Sequence, residues 1–342
     1  MENPNSSLPV PPPPVSKLLW LLPTLVLLSI WIIGACFVPY YSGYGAERLT
    51  TAKWLSWYWG MADWQHGLLV FPIVIGLIYW KRKQLASLPI YSNWWGLFLL
   101  TLSCVVYYLG YRANSIYGSY IGLQGITASI LLFCFGTAWF RALLFPWLFI
   151  VFAWPLPFLE GELALPLRVF MCDVCRKFLS LIGIQTVQQG SAIISAPDVT
   201  KGLAQGQRFK LDIEGPCSGL RSLFALTMIG ALFGYLSLKK NWQRSILFLS
   251  AIPLAIFGNF IRIMLLLAGT IFFGTPFAIG ENGPDGQERP SFYHIFSGIA
   301  VFIVAFLGMM LLSSLLKKGK KAISKSRTIT RTVVANGELK IG

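Results

Sequence analysis

The chain carries little charge for its length, and acidic charge is the scarcest. Of its 342 residues, 12% are charged and only 13 are acidic, whereas a soluble domain carries about 25% charged residues. The deficit falls in repeated apolar runs of roughly 20 residues, the length that crosses a bilayer core. This composition excludes a soluble globular protein and predicts an all-α polytopic membrane protein.

Histidine is also scarce, and the spacing of the cysteines matches no disulfide framework. With only two histidines, a multi-histidine metal site is hard to build. The six cysteines lie mostly in apolar runs and lack the pattern of a secreted disulfide scaffold. Cys172 and Cys175 have C-x-x-C spacing without a second pair, which favours structural thiols and leaves a redox pair open. We therefore predict no metal and no cofactor.

The apolar runs predict about eight transmembrane helices. A further segment, 163–184, is apolar on one face only and is predicted to be an amphipathic helix at the membrane interface. The predicted spans cover residues 18–38, 67–80, 95–110, 116–137, 142–158, 218–238, 245–272 and 292–316.

Lys and Arg predict the orientation, because cytoplasmic loops carry an excess of them. If alternate loops are placed inside, 16 basic and 2 acidic residues lie inside, against 10 basic and 11 acidic residues outside. Both termini are then cytoplasmic, in a multi-pass protein of the inner (cytoplasmic) membrane. The net charge of +15 is thus a topology signal, and we exclude nucleic acid as a partner.

The ends of the chain differ from the transmembrane domain, 17–316. Residues 1–16 are polar and proline-rich, which predicts a disordered cytoplasmic lead. Residues 317–342 form a basic cytoplasmic tail, either a solvated flank or a contact with anionic membrane lipids.

One outer loop, 185–216, alternates like strands and predicts a small extracytoplasmic β-hairpin insertion before the sixth span. Residues 209, 211 and 213 share one face, residues 191–196 supply the partner strand, and Gly202 and Gly206 lie in the turn. The hairpin leads directly to Cys217.

Cys217 lies where the sixth span begins. Unpaired amides and the helix dipole at that position stabilise a thiolate, and Arg221 adds positive charge from the same face. A thiolate there is a competent nucleophile. The alternative is a small buried hydrophobic side chain.

Arg262 lies within the seventh span, where a guanidinium costs at least about 2.5 kcal/mol. It can stabilise an oxyanion or bind a carboxylate, with Asn259 one turn away to orient it, or it can form a structural ion pair. Its depth below the outer surface requires either a water-filled cleft, which we favour, or an early end of the helix.

Two histidines are candidates for the acid/base. His294 opens the eighth span at the outer surface and can pass a proton to a leaving amine, unless it only caps the helix. His66, also outside and three residues after Asp63, is the second candidate.

These segments resemble the exosortase/archaeosortase family of membrane transpeptidases. Three motifs carry the resemblance in register, and the segment from Asp63 to Val70 resembles a fourth. The three are Pro216-Cys217-Ser218-Gly219-Leu220-Arg221-Ser222, Asn259-Phe260-Ile261-Arg262-Ile263 and Phe292-Tyr293-His294.

The resemblance implies that Cys217 is the nucleophile, Arg262 the electrostatic stabiliser and His294 the general acid/base. It also implies substrates: exported proteins with a C-terminal motif, a hydrophobic helix and a basic cluster. They would be cleaved through a thioester, and the acyl group would pass to an amine or to water. Pro216 departs from the alanine that often precedes the nucleophile in the family.

Two alternatives remain open from the sequence. One is a non-enzymatic carrier or assembly protein for lipid-linked polysaccharide, which would have no need of a thiol. The other is a cysteine protease that only hydrolyses, which would use the same three residues.

Overall fold

A computed structural model of the chain describes residues 21–43, 45, 47–61, 63–212, 220–282 and 288–335. It is mostly helical, with three small antiparallel sheets in the described ranges. It divides into two compact units, Met1–Pro155 and Leu156–Gly342. Cys217 and the proline-rich lead 1–16 lie outside the described residues.

The first unit is a helical bundle with one two-stranded sheet. Close contact between Gly110 and Gly118, where a Cβ would meet the opposing backbone, lets two of its helices pack tightly. Its helices are α1 (Leu21–Cys36), α2 (Thr51–Gly60), α3 (Gly67–Trp80), α4 (Arg82–Ala86), α5 (Trp95–Arg112), α6 (Ile116–Ile130) and α7 (Thr137–Phe149). Strands β1 (Pro39–Tyr41) and β2 (Leu49–Thr50) pair antiparallel.

The second unit contains a helical core and two sheets. Its helices are α8 (Pro157–Leu181), α9 (Leu220–Ser237), α10 (Asn241–Phe273), α11 (Thr275–Ala278) and α12 (Phe292–Ala335). Its strands are β3 (Thr186–Gln189), β4 (Ala192–Ser195), β5 (Lys210–Asp212), β6 (Gly280–Asn282) and β7 (Glu288–Pro290).

Each predicted span corresponds to a helix, but the number of spans stays a prediction. Within the described residues, three helices are long and apolar enough to cross a membrane: Ile116–Phe135, Asn241–Phe273 and Phe292–Lys317. A fourth is added if the helices on either side of Pro155 form one bent span. Some of the other helices are apolar but short: α3, for example, has 14 residues and covers only about 21 Å.

The predicted fifth span, 142–158, has different bounds in the structure. Its helix begins at Thr137 and continues as a 3-10 turn to Ala153. Proline lacks a backbone N–H and cannot continue a helical ladder, and Pro155 separates this turn from α8. The predicted amphipathic segment 163–184 lies in α8 up to Leu181, where the helix ends, and its position relative to the membrane stays a prediction.

The predicted hairpin region contains three strands. β4 pairs antiparallel with β5, Ile193 opposite Leu211, and Gly202 and Gly206 adopt positive φ in the connection between them. β3 adds a third strand beside β4. The side of the membrane on which this sheet lies stays a prediction.

The sheet is fixed to the helices by a shared hydrophobic cluster. Ile193, Phe209 and Leu211 pack in one cluster with Met171 of α8 and Ile263 of α10, all nearly inaccessible to solvent. The sheet therefore lies against the stretch of α10 that carries Arg262.

Candidate active site

Arg262 and His294 form the centre of the candidate site. The guanidinium Nη2 of Arg262 lies 3.0 Å from Nε2 of His294. His294 is buried, with 7% of its surface exposed, and Arg262 is half-buried. The structure thus brings together two of the three predicted catalytic residues, which are 32 positions apart in sequence.

The hydrogen bond constrains the imidazole tautomer. A guanidinium can only donate, so Nε2 accepts and the ring proton lies on Nδ1. The other donors of Arg262 extend beyond this contact, because the guanidinium has five N–H groups. The pair can therefore hold a neutral imidazole and present positive charge beside it.

The first turn of α12 fixes the position of His294. The Ser291 hydroxyl accepts a hydrogen bond from the backbone N–H of His294 at 3.0 Å, which is an N-cap. Ser291 is itself held by its backbone N–H, which donates to the Ile279 carbonyl at 2.9 Å, and by its hydroxyl, 3.2 Å from the Ala278 carbonyl. The helix start is thus tied to α11.

Tyr293 fixes the level at which α12 meets α10. Its hydroxyl donates to the Leu265 carbonyl at 2.8 Å, and its ring lies over Gly269, where a Cβ would be only 2.7 Å from the ring. His294 is therefore recessed to the level of Arg262.

This arrangement excludes one of the two explanations given above for the depth of Arg262, and the water-filled cleft stays a prediction. The early end of the helix is wrong, because α10 continues to Phe273, about 16 Å beyond Arg262. Instead, α12 begins beside Leu265, so that His294 reaches Arg262 from a recessed helix start. The favoured cleft is not needed for the two side chains to meet.

Asn259 lies one turn before Arg262 and borders a small cavity. It is 2% exposed and lines a space of about 10 Å³ together with Leu223 and Met171. That is about the room of one water molecule. Because Leu223 belongs to the first turn of α9, the start of α9 lies beside the Asn259 face of α10.

In the sequence, the predicted nucleophile lies just before the start of α9. Arg221 is the second residue of α9 and is half-buried, and Leu220, the first, follows Cys217 by three positions. Cys217 itself lies outside the described residues, so its role stays a prediction.

His66 and Asp63 lie in the first unit, apart from the other site residues in the chain. His66 directly precedes α3, and its ring centroid lies 6.0 Å from that of Trp64. Burial lowers the pKa of His66, whereas a hydrogen bond to the Asp63 backbone and the negative charge of Asp63 oppose that shift.

The C-x-x-C pair is enclosed in the second unit. Cys172 and Cys175 are both fully buried, and the Cys172 thiol donates to the Ser191 carbonyl at 3.1 Å. In the described part of the chain, no three His, Cys, Asp or Glu side chains are grouped closely enough to hold a metal ion.

Sequence reasoning assigned no role to Ser291, Tyr293 or Gly298. A Ser three residues before His294 is an N-cap signal and could have identified the helix start. Gly298 leaves room for the guanidinium, which would lie 3.8 Å from a Cβ there. No local pattern predicts that contact, because Arg262 and Gly298 are on different helices.

Comparison with known proteins places the chain in a family. The family model described as transmembrane exosortase (Exosortase_EpsH) matches residues 54–311, about three-quarters of the chain. No curated protein and no solved structure matches the chain. The family match spans α9, α10 and the start of α12, which contain every residue of the Arg262–His294 site. The chain therefore belongs to the transmembrane exosortase family.

Proposed function

We propose that this protein is a membrane cysteine transpeptidase in which Cys217 is the nucleophile, His294 the acid/base and Arg262 the electrostatic stabiliser. The observation that carries the proposal is the hydrogen bond between Arg262 and the buried His294. An arginine within a candidate span is costly and usually functional, and this one contacts a histidine, the side chain best suited to proton transfer at neutral pH.

The position of Cys217 in the sequence supports its role. It precedes α9 by three residues, and the first turn of α9 shares a cavity with Asn259, one turn from Arg262. A helix N-terminus favours a thiolate, and Arg221 adds positive charge. Asn259 and Arg221 support the site without reacting.

The proposed reaction has two steps. As the Cys217 sulfur bonds to the carbonyl carbon of the substrate, Nε2 of His294 takes the thiol proton; the C–N bond then breaks and His294 delivers that proton to the leaving amine. Arg262 turns donors toward the developing oxyanion, which frees Nε2 of His294 for proton transfer. An amine, or water, then attacks the thioester and releases Cys217.

The charges at the opposite end of the second unit support the orientation. Gln243 near the start of α10 donates to the Leu316 carbonyl of α12 at 2.9 Å, so Lys240, Arg244 and Lys317 lie at one end. Arg262 is about 27 Å along α10 from Arg244, close to the thickness of a bilayer core of about 30 Å.

With the basic end in the cytoplasm, the site lies at the extracytoplasmic face of the inner membrane. The eight-span arrangement, both cytoplasmic termini and the outer position of the sheet belong to the same proposal.

The proposed substrates are exported proteins with a C-terminal motif, a hydrophobic helix and a basic cluster. A substrate tethered by that helix presents its motif at the outer face, where the Arg262–His294 pair lies in this orientation. Membrane lipids surround the bundle and are its other partners.

The test replaces Cys217 by Ala in the host and follows a signal-bearing protein by mass. Unprocessed, membrane-retained precursor should accumulate at an unchanged level of the enzyme. Cys104→Ala, which removes an exposed free thiol on α5, is the matched control and should process normally.

His294→Gln and Arg262→Lys extend the same test. Both should accumulate precursor, Arg262→Lys because lysine keeps the charge but loses the planar donor set. Normal processing by Cys217→Ala would contradict the proposal and favour the carrier for lipid-linked polysaccharide. The mass of the product distinguishes transfer to an amine from hydrolysis.

A further inference from the structure

Arg168 lies on the inward stripe of α8. Three buried residues share this stripe: Ala164 four positions before Arg168, Cys172 four positions after it, and Cys175 three positions after Cys172. Such spacing places side chains on one helix face. Arg168 itself is half-buried, so a charged side chain interrupts an otherwise small and apolar stripe.

One donor of the Arg168 guanidinium has no partner in the part of the chain that the structure describes. Its Nε atom is buried there without a hydrogen-bond partner. The ion pairs of the same helix use other residues, since Asp173 contacts Arg176 at 2.9 Å and Lys177 at 2.6 Å. A buried donor without a partner is unfavourable, and a ligand that accepts a hydrogen bond from it would remove that cost.

Arg168 lies close to the candidate active site. Its neighbour Leu167 lines the cavity that Leu223 and Asn259 also line. Arg221 precedes Leu223 by two positions and Arg262 follows Asn259 by three, so α8, α9 and α10 each carry an arginine within three positions of a residue that lines this cavity. Three positive charges on these helices favour an anion there.

We infer that Arg168 is a specificity-determining residue that binds a carboxylate of the substrate's sorting signal. The inference rests on the proposed function and deepens it. A guanidinium matches a carboxylate through two parallel hydrogen bonds. Its place on the inward stripe favours a peptide inserted among the helices over a lipid headgroup.

The test compares Arg168→Gln with wild type on two substrates, in neutral detergent without anionic lipid. One substrate is the host's own signal-bearing protein, and the other has the Asp and Glu residues near the cleavage site replaced by Asn and Gln. Arg168→Gln should lower kcat/KM roughly 10- to 100-fold, mainly through KM, the effect of losing a hydrogen bond between charged groups. The loss should vanish on the amide substrate.

Two variants serve as controls. Arg176→Gln removes a half-buried arginine of the same helix, which pairs with Asp173, and should leave the processing of both substrates unaffected. Arg168→Lys keeps the positive charge but loses the two parallel donors of the guanidinium. Its KM should lie between those of Arg168→Gln and the wild type.

Three outcomes would overturn the inference. An equal loss on both substrates would mean that Arg168 acts within its own chain, and a loss that appears only in phosphatidylglycerol vesicles would mean that it binds a headgroup. The third concerns binding alone, measured with the Cys217→Ala variant: equal affinity for the substrate with and without the additional Arg168→Gln substitution. Failure of the proposed function is distinguishable, because Cys217→Ala alone would then still process substrate.

Discussion

In the proposed mechanism, the hydrogen bond from Arg262 restrains His294 in the resting site. Its Nε2 lone pair is occupied by a permanent cation, 3.0 Å away, so the ring becomes available for proton transfer only when the guanidinium turns to another acceptor. A substrate carbonyl that draws Arg262 away would therefore also activate His294. The same side chain can couple substrate binding to acid/base chemistry.

His66 predicts a pH dependence of stability in the first unit. Burial lowers its folded-state pKa below the ordinary value of about 6.5, so the unfolded chain binds the proton more readily. The stabilisation is complete above the unfolded pKa and is lost as pH falls through the folded one. The melting temperature of the protein in detergent should fall between about pH 7.5 and about pH 5.

Substitution identifies the group responsible. His66→Gln should flatten this dependence, measured as the difference in melting temperature between the two pH values. Because the chain has only two histidines, His294→Gln is the matched control and should keep the His66 part of the slope. An unchanged slope in His66→Gln would show that other groups cause it.

At the scale of elements, the contact of α10 with α12 depends on small residues. A Cβ on Gly258 would lie 2.9 Å from Val301 Cγ1 and 3.1 Å from the Val301 carbonyl oxygen. The backbone oxygen cannot rotate away as a side chain can. Gly258 therefore sets the separation of the two helices one turn from Arg262.

Gly258→Ala should force α12 away from α10 and weaken the Arg262–His294 hydrogen bond. We expect a loss of about 1–3 kcal/mol in stability, typical of overpacking, and slower substrate processing. Thermal unfolding in detergent and a processing assay measure the two effects. Gly76→Ala on α3 meets no atom within 4 Å and is the control. Equal stability of both variants would contradict this account of the packing.

Most long helices could be predicted because apolar runs are a strong local signal. The predicted span 67–80 coincides with α3, and the predicted start at residue 292 coincides with that of α12. The short helices α2 and α11 were missed, since ten and four residues carry little periodicity. β3 was also missed, because its polar sequence, with Gln188 and Gln189, resembles a loop.

The sequence allowed the residue types of the candidate site to be predicted, but not the level along α10 at which Arg262 and His294 meet. Arg262 and His294 were selected because charge and imidazole are rare in apolar runs. Their meeting depends on Tyr293 reaching the Leu265 carbonyl, a contact between helices that no sequence pattern contains. The position of Arg168 could not be predicted either. A charged residue in an amphipathic segment is expected on the solvated face, and only its buried neighbours place Arg168 on the inward one.

At the scale of the whole molecule, the distribution of Lys and Arg predicts the topology. In a variant without native cysteines, Val199→Cys should react with a membrane-impermeant thiol reagent in intact spheroplasts. Val199 is 92% exposed in the loop placed outside. Gln84→Cys, in the exposed basic segment placed inside, should react only after permeabilisation. The reverse pattern would invert the orientation and move the site to the cytoplasm.

The recessed start of α12 has a consequence for biosynthesis. Ribosomes make Arg262 before His294, so α10 must enter the bilayer before its hydrogen-bond partner exists. The guanidinium then opposes insertion by about 2.5 kcal/mol, and each leucine, isoleucine or phenylalanine offsets about 0.3–0.6 kcal/mol. The mean hydropathy of 2.0 in α10 thus favours membrane insertion as well as packing in the folded bundle, and Arg262 completes its hydrogen bond only when the last predicted span arrives.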